Sequence, residues 1–180
     1  MENPFWKTKP LSAFSDEEWE SVCMKCGKCC MQKGEHNGKV LFFNRVCDGL
    51  DMKTGLCTRY KSRLCTDCVK VDLHLLQTEP SLLPESCAYR LLLAGKDLPE
   101  WHPLISGDPE SVRKAGKSVL DVSGVHSEKD FEAEMKLLAE RSSAENWSLG
   151  RAAEEVCKIG KKYPLRAVES YPIAGSIKLL

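Results

Sequence analysis

The chain has 180 residues, and its 26 Lys and Arg balance 26 Asp and Glu, so the formal charge is zero. A general electrostatic affinity for nucleic acid or for an anionic membrane is therefore not indicated. Charged residues make up 29% and hydrophobic ones 42%, ordinary for a globular protein, and the length suits one domain with a modest core or a small domain with an appendage. No apolar run reaches the length that crosses a bilayer. The opening MENPFWKTKP is too short in apolar residues for a secretory signal, so a reducing cytoplasm is the expected compartment.

In chain order, Ser15-Asp-Glu-Glu18 is a capping box and predicts a helix from Asp16 that carries Trp19, Val22 and Cys23. That helix should loosen at Gly27. Val40 to Phe43, bounded by Gly38 and Asn44, reads as a strand. The turn signal Asp51-Met-Lys-Thr-Gly55 then offers Leu56 to Tyr60 as its hairpin partner. Pro84 and Gly95 bracket a helix over Glu85 to Ala94 that places Cys87 and Leu91 on one face. Leu98 to Pro109 reads as an ordered loop, because Trp101, Leu104 and Ile105 need cover. Ser127-x-x-Asp130 opens an amphipathic helix through Phe131, Met135, Leu138 and Ala139. A further helix is predicted from Ser148 to Ile159, and the basic tail beyond it as irregular. The expected fold class is α+β and mainly helical. It comprises a small irregular metal-nucleated domain with a short β-hairpin over residues 1–122 and a C-terminal helical appendage and tail over 123–180.

Nine of the ten cysteines fall between Cys23 and Cys87, and four form the run Cys23-Met-Lys-Cys26-Gly-Lys-Cys29-Cys30. Thiolates spaced by three bring soft ligands to one side of a turn or helix, which suits zinc or iron. At about 100° per residue, positions 23, 26, 29 and 30 would share roughly a third of a helix's circumference. Disulfides are the rival explanation, but cysteine-dense disulfide scaffolds are usually shorter, secreted chains. Cys65-Thr-Asp-Cys68 is a second CxxC. The side chains of neighbouring Cys29 and Cys30 are expected to diverge, which favours two centres or a cluster over one mononuclear site. Eight thiolates around two divalent ions leave a net charge of about −4. Lys25, Lys28, Lys33, Arg45, Arg59, Lys61, Arg63 and Lys70 lie in the same segment to offset it, and Arg63 is the one expected to be structural.

The run Cys23 to Cys30, with Cys47-Asp-Gly-Leu50, Gly55-Leu-Cys57-Thr-Arg-Tyr60-Lys-Ser-Arg63 and Asp67-Cys68-Val-Lys70, resembles the YkgJ-type CxxCxxCC proteins, a family described as zinc- or iron-chelating through eight cysteines. Pro4-Phe-Trp6, Trp19-Glu-Ser21, Cys87-Ala-Tyr-Arg-Leu91 and Gly95 to Leu104 bring the resemblance closest to its YcgN-like branch, over about residues 3 to 122. Carried over by position, the resemblance implies Cys23, Cys26, Cys29, Cys30, Cys47, Cys57, Cys68 and Cys87 as metal ligands. Cys65 is additional, and the stretch between Tyr60 and Cys68 is shorter than in the branch, so Cys65 and Cys68 compete for one ligand role.

Beside these, His102 in Trp-His-Pro is read as a candidate ligand or as a packed loop histidine. His36, His74 and His126 are read as surface residues. Tyr60 and Arg63 are expected to support the ligands rather than react. Trp6, Trp19 and Trp101 are expected in the core, and Cys157 as a buried structural thiol. There is no Gly-rich phosphate loop, nucleophile elbow or supported pair of carboxylates. Two functional classes follow. The first is a metal-binding protein whose zinc or iron is primarily structural. It would present the Trp101-His102-Pro103 loop or the C-terminal helices to a protein partner, with no membrane or nucleic acid involved. The alternative is an enzyme or redox protein with an iron or iron–sulfur centre, since a flagellin lysine methylase carries a related cysteine motif.

Overall fold

The computed structural model describes residues 4–65, 68 and 70–172, with the side chains of 63–65 excepted. In order, the elements are α1 (Phe5–Thr8), α2 (Asp16–Val22), β1 (Met31–His36), β2 (Lys39–Val46), α3 (Leu73–Thr78), α4 (Ala88–Leu93), α5 (Pro103–Ser106), α6 (Ser111–Lys114), β3 (His126–Ser127), α7 (Glu128–Ala144), α8 (Leu149–Lys162) and β4 (Ala167–Pro172). The fold is a small α+β domain with C-terminal helices, as the sequence implies. Among the described residues no helix is long and apolar enough to cross a membrane.

The local signals explain much of this. Ser15 accepts from the Glu18 N–H while Glu18 accepts from the Ser15 N–H, so the expected capping box starts α2. Ser148 caps α8 and Ser127 caps α7, although Ser127 accepts from Lys129 and the box is not reciprocal. Three expectations need correction. The partner of β2 is β1, not Leu56 to Tyr60; that stretch makes one isolated bridge, Leu50 with Cys57, and its end winds into a 3₁₀ turn, Tyr60–Cys65. The tail forms strand β4 rather than irregular chain. Residues 85–87 stay outside the helix, which begins at Ala88 with Cys87 as its N-cap. The loop from Leu98 includes α5; Trp101 and Leu104 pack on the core, but Ile105 is exposed.

β2 is the hub. β1 pairs along one edge, and on the other edge β4 pairs antiparallel beside residues 39–43 while β3 pairs parallel at Arg45 and Val46. The alternation along β2 buries Val40, Phe42, Asn44 and Val46. Asn44 is fully buried and completely used: its amide donates to the carbonyls of Gly124 at 2.8 Å and Pro164 at 3.0 Å, and its Oδ1 accepts from the Arg166 N–H at 2.8 Å. One side chain thus fastens two segments of the C-terminal third, the turn at Gly124 and the connection from α8 to β4, to the central strand. Beyond 122 the two long helices pack on each other. Phe131 lies edge-on to Tyr163, and Arg45 sits 4.6 Å from the Phe131 ring centroid. His126, expected on the surface, is buried against Tyr163 and holds the Gly124 carbonyl at 3.1 Å.

The core has two parts. One gathers Val22, Met24, Leu76, Leu83, Ala88, Tyr89, Leu98 and Val112 among the helices, with Trp6, Trp19 and Trp101 packed against it as expected. The other gathers Met31, Val40, Phe42, Val46, Leu50 and Val119 under the sheet.

Two outcomes test this arrangement. Asn44→Leu strands three backbone groups of two segments and should cost about 3 kcal/mol in chemical denaturation. A chain ending at Ser123 bares one edge of β2 and should aggregate; a soluble, cooperatively melting product would show residues 123–180 to be a separable appendage.

Candidate metal centre

The cysteine run crosses between the two core parts. α2 ends at Val22, and Cys23 and the residues after it are not helical: Lys25 and Gly27 take left-handed backbone, φ 55° and 74°, before a 3₁₀ turn over Lys28–Cys30. The expected shared helical face for Cys23, Cys26, Cys29 and Cys30 is therefore replaced by two tight reversals. Gly27 is required twice over. Its φ is one that L side chains avoid, and a Cβ there would lie 2.6 Å from Cγ1 of Val119 and 2.9 Å from the Gly55 carbonyl oxygen. The Val119 N–H donates to the Cys26 carbonyl at 2.7 Å, and the Cys47 N–H to the Cys30 carbonyl at 2.9 Å. The run is held by backbone from both sides.

Six of the eight implied ligands, Cys23, Cys26, Cys29, Cys30, Cys57 and Cys87, line one open cavity of about 550 Å³, walled by apolar residues such as Met24, Leu50, Val71 and Leu83. Cys47 and Cys68 are exposed and lie outside its lining. The Cys65 side chain and that of Arg63 fall outside the described residues. Among the described residues no three Cys, His, Asp or Glu side chains stand close enough to hold one ion as placed. In kind the donors are those zinc or iron would take, soft thiols along an apolar cleft.

Burial pushes the Cys23 thiol up to about 11 and Cys87 to about 12, raises Cys26 further, and also raises Cys47. Working against burial, nearby backbone N–H groups favour the thiolate: Lys25 for Cys23, Lys28 for Cys26, Gly49 for Cys47, and Arg90 ahead of Tyr89 for Cys87. The Gly49 contact is 3.3 Å. An N–H aimed at sulfur favours thiolate over thiol, and hydrogen bonds of this kind tune metal–thiolate centres. Adjacent Cys29 and Cys30 do not diverge as expected: their thiols hydrogen-bond, and this bond, followed by burial, drives Cys30 upward.

The other candidates resolve clearly. His102 is completely buried; Nδ1 accepts from the Leu104 N–H at 3.1 Å, which leaves Nε2 to donate to the Val22 carbonyl at 3.0 Å. Both nitrogens are used, so His102 is the packed histidine, and it fixes the end of α2 just before Cys23. His36 and His74 are exposed, as read. Tyr60 donates to Glu20 at the cavity rim. Cys157 is exposed on α8, contrary to its expected burial. Lys33 lies among the thiols. Its amine donates to the Cys29 carbonyl at 2.7 Å and the Met31 carbonyl at 3.0 Å; burial lowers its pKa while Cys29, Cys30 and Cys68 pull it up. Lys28 and Arg59 are instead neutralised by Glu169 and Asp48.

Curated relatives share most of their length with this chain. A UPF0260 protein of Rhizorhabdus wittichii is 50% identical over 122 residues, 66% of this chain and 83% of the relative. The chain belongs to the UPF0260 family. The UPF0260 protein of Pasteurella multocida is 48% identical over 136 residues, covering 72% of this chain and 89% of its own. That of Granulibacter bethesdensis is 49% identical over 120 residues, 64% and 72%. UPF0260 membership agrees with the YcgN-like resemblance seen in the sequence. No family model matches the chain, and no solved structure does.

In this UPF0260 chain, sequence reasoning saw Gly27 only as the place where the helix loosens, not its close approach, and missed Val119. A φ-demanding Gly between two CxxC steps was the available signal for the first; nothing local marks the second. Gly27→Ala should destabilise the fold by about 2–5 kcal/mol, from left-handed strain and overpacking together. Cys157→Ser should leave the melting temperature within about 1 °C of the parent, read by differential scanning fluorimetry.

Proposed function

We propose that the chain is a metal-binding protein in which Cys23, Cys26, Cys29, Cys30, Cys47, Cys57, Cys68 and Cys87 hold zinc or iron, primarily as a structural centre. The observation that carries this is the row of backbone N–H groups set against the sulfurs of Cys23, Cys26, Cys47 and Cys87. Burial alone would make these thiols inert; backbone donors beside the sulfurs favour the anionic form. A bound cation supplies the charge that makes it so. The interior between the two core parts is otherwise an open cleft, so holding the thiols together would close it. The proposed partner is a protein. Trp101 and His102 are spent inside the core, so the surface offered is that of α7 and α8, where Leu137, Leu149 and Val156 are exposed.

Elemental analysis of protein purified without oxygen should find about two zinc ions, or several irons, per chain, and stripping them should abolish cooperative melting, since structural zinc contributes on the order of 10 kcal/mol. Because Cys23 and Cys87 must lose protons whose pKa values lie near 11 and 12, zinc loading at pH 7 should release protons and its affinity should fall as pH falls. Cys26→Ser and Cys29→Ser should lose metal, and Cys68→Ser should lose more than Cys65→Ser. Metal-free protein that melts cooperatively would refute the structural role. A dithionite-reducible electron paramagnetic resonance signal would replace it with the redox alternative.

A further inference from the structure

We propose that two copies of this chain pair through α8, the helices antiparallel about a two-fold axis beside Cys157, with Glu154 of each copy opposite Lys161 of the other. This rests on the reading above that α7 and α8 meet a protein, and it names that protein as a second copy.

The exposed side of α8 is apolar where a surface helix is ordinarily polar. Ala152 and Ile159 are half-buried, on the side of Tyr163, which meets Phe131 of α7. Beside them Leu149, Ala153, Val156, Cys157 and Gly160 recur at helical spacing, and all are exposed, Leu149 at 91%. Gly160 is the odd member. Glycine inside a helix costs stability relative to alanine, and a Cβ there would meet nothing within 4 Å. The fold gives no reason for it, whereas a second backbone coming close does.

Charge selects the occupant. Lys158 pairs with Glu155 and Lys162 with Glu134 of α7, but Glu154 and Lys161 enter no ion pair among the described residues. Both flank the apolar stripe on one edge, where with Ala153, Cys157 and Lys158 they line a shallow groove. Cys157 lies near the midpoint between them. Turning a second α8 end over end about that midpoint sets each glutamate against the other copy's lysine and brings Ala153 beside Gly160. An isologous contact requires one patch to complement itself, as this edge does; an unlike protein requires no such internal symmetry. α8 has 14 residues and is about 21 Å long, so the pair buries less than a standard interface and is a weak one.

The test uses the full chain, purified without oxygen and assayed for metal, in sedimentation velocity over a concentration series. The parent should pass reversibly from 20.2 kDa towards twice that mass. Glu154→Lys or Lys161→Glu alone should raise the dimer Kd by about tenfold or more, since like charges then face each other, and the two together should restore it. Gly160→Leu should raise Kd as well by holding the helices apart. It should not lower the melting temperature of the dilute chain, because leucine suits a helix better than glycine. A short bismaleimide, mapped by mass spectrometry, should join two copies at Cys157. A chain that stays monomeric at about 0.2 mM, well above a micromolar Kd, overturns the pairing and leaves α7 and α8 to an unlike protein; its metal content judges the cysteine centre separately. A dimer indifferent to the charge reversals pairs by another face and overturns the proposal too.

Discussion

Everything near the thiols depends on one close approach. Gly27 presses its α-carbon between the Val119 side chain and the Gly55 carbonyl, and in doing so brings the cysteine run against the turn that carries Cys57 and the segment that follows α6. Neither neighbour could come as near to any residue with a side chain. The two halves of the core therefore meet at a point without a side chain of its own, and the cavity opens beside that point because so little fills it. A metal-coordinating set is economical in such a place, since a few bonds to sulfur do what many apolar contacts would otherwise have to do in a domain of this size.

The chemistry of the cleft is a contest between burial and backbone dipoles. Apolar walls favour neutral thiols, and the sulfurs of Cys23, Cys26 and Cys87 are raised accordingly; nearby backbone N–H groups oppose this without reversing it. Lys33, anchored on the carbonyls of Cys29 and Met31, places its amine beside the vicinal pair, in contrast to Lys28 and Arg59, which are paired with carboxylates.

How much of this was legible in the sequence depends on the range of the forces involved. α2, α7 and α8 were readable because Ser15, Ser127 and Ser148 act within one turn of themselves. The strand around Val40 was visible in its apolar run, but its partners were not. β1 is a polar stretch, Met31-Gln-Lys-Gly-Glu-His36, with little strand propensity, and β4 pairs from 130 residues away in sequence; both are recruited by tertiary contact. The shape of the cysteine run was not legible, since three-residue spacing serves a helix and a looped turn equally well. His102 shows the same limit from the other side. Its motif marked it as special, but only the Val22 carbonyl reveals that the reason is packing.

The fastening of β2 by Asn44 has a consequence for how the protein is made. Its three bonds reach residues 124, 164 and 166, and β4 completes the edge of the strand that leads directly into Cys47. At ribosomal rates of about 5–20 residues per second, all nine clustered cysteines emerge several seconds before the segment that locks that strand. During that interval the thiols sit on a chain whose long loops are still open, free to oxidise or to capture whichever soft cation is at hand. The order of synthesis thus favours early occupation of the cysteines nearest the N-terminus. It leaves Cys47, at the far end of β2, to be fixed in place only after residues 164–172 have been made.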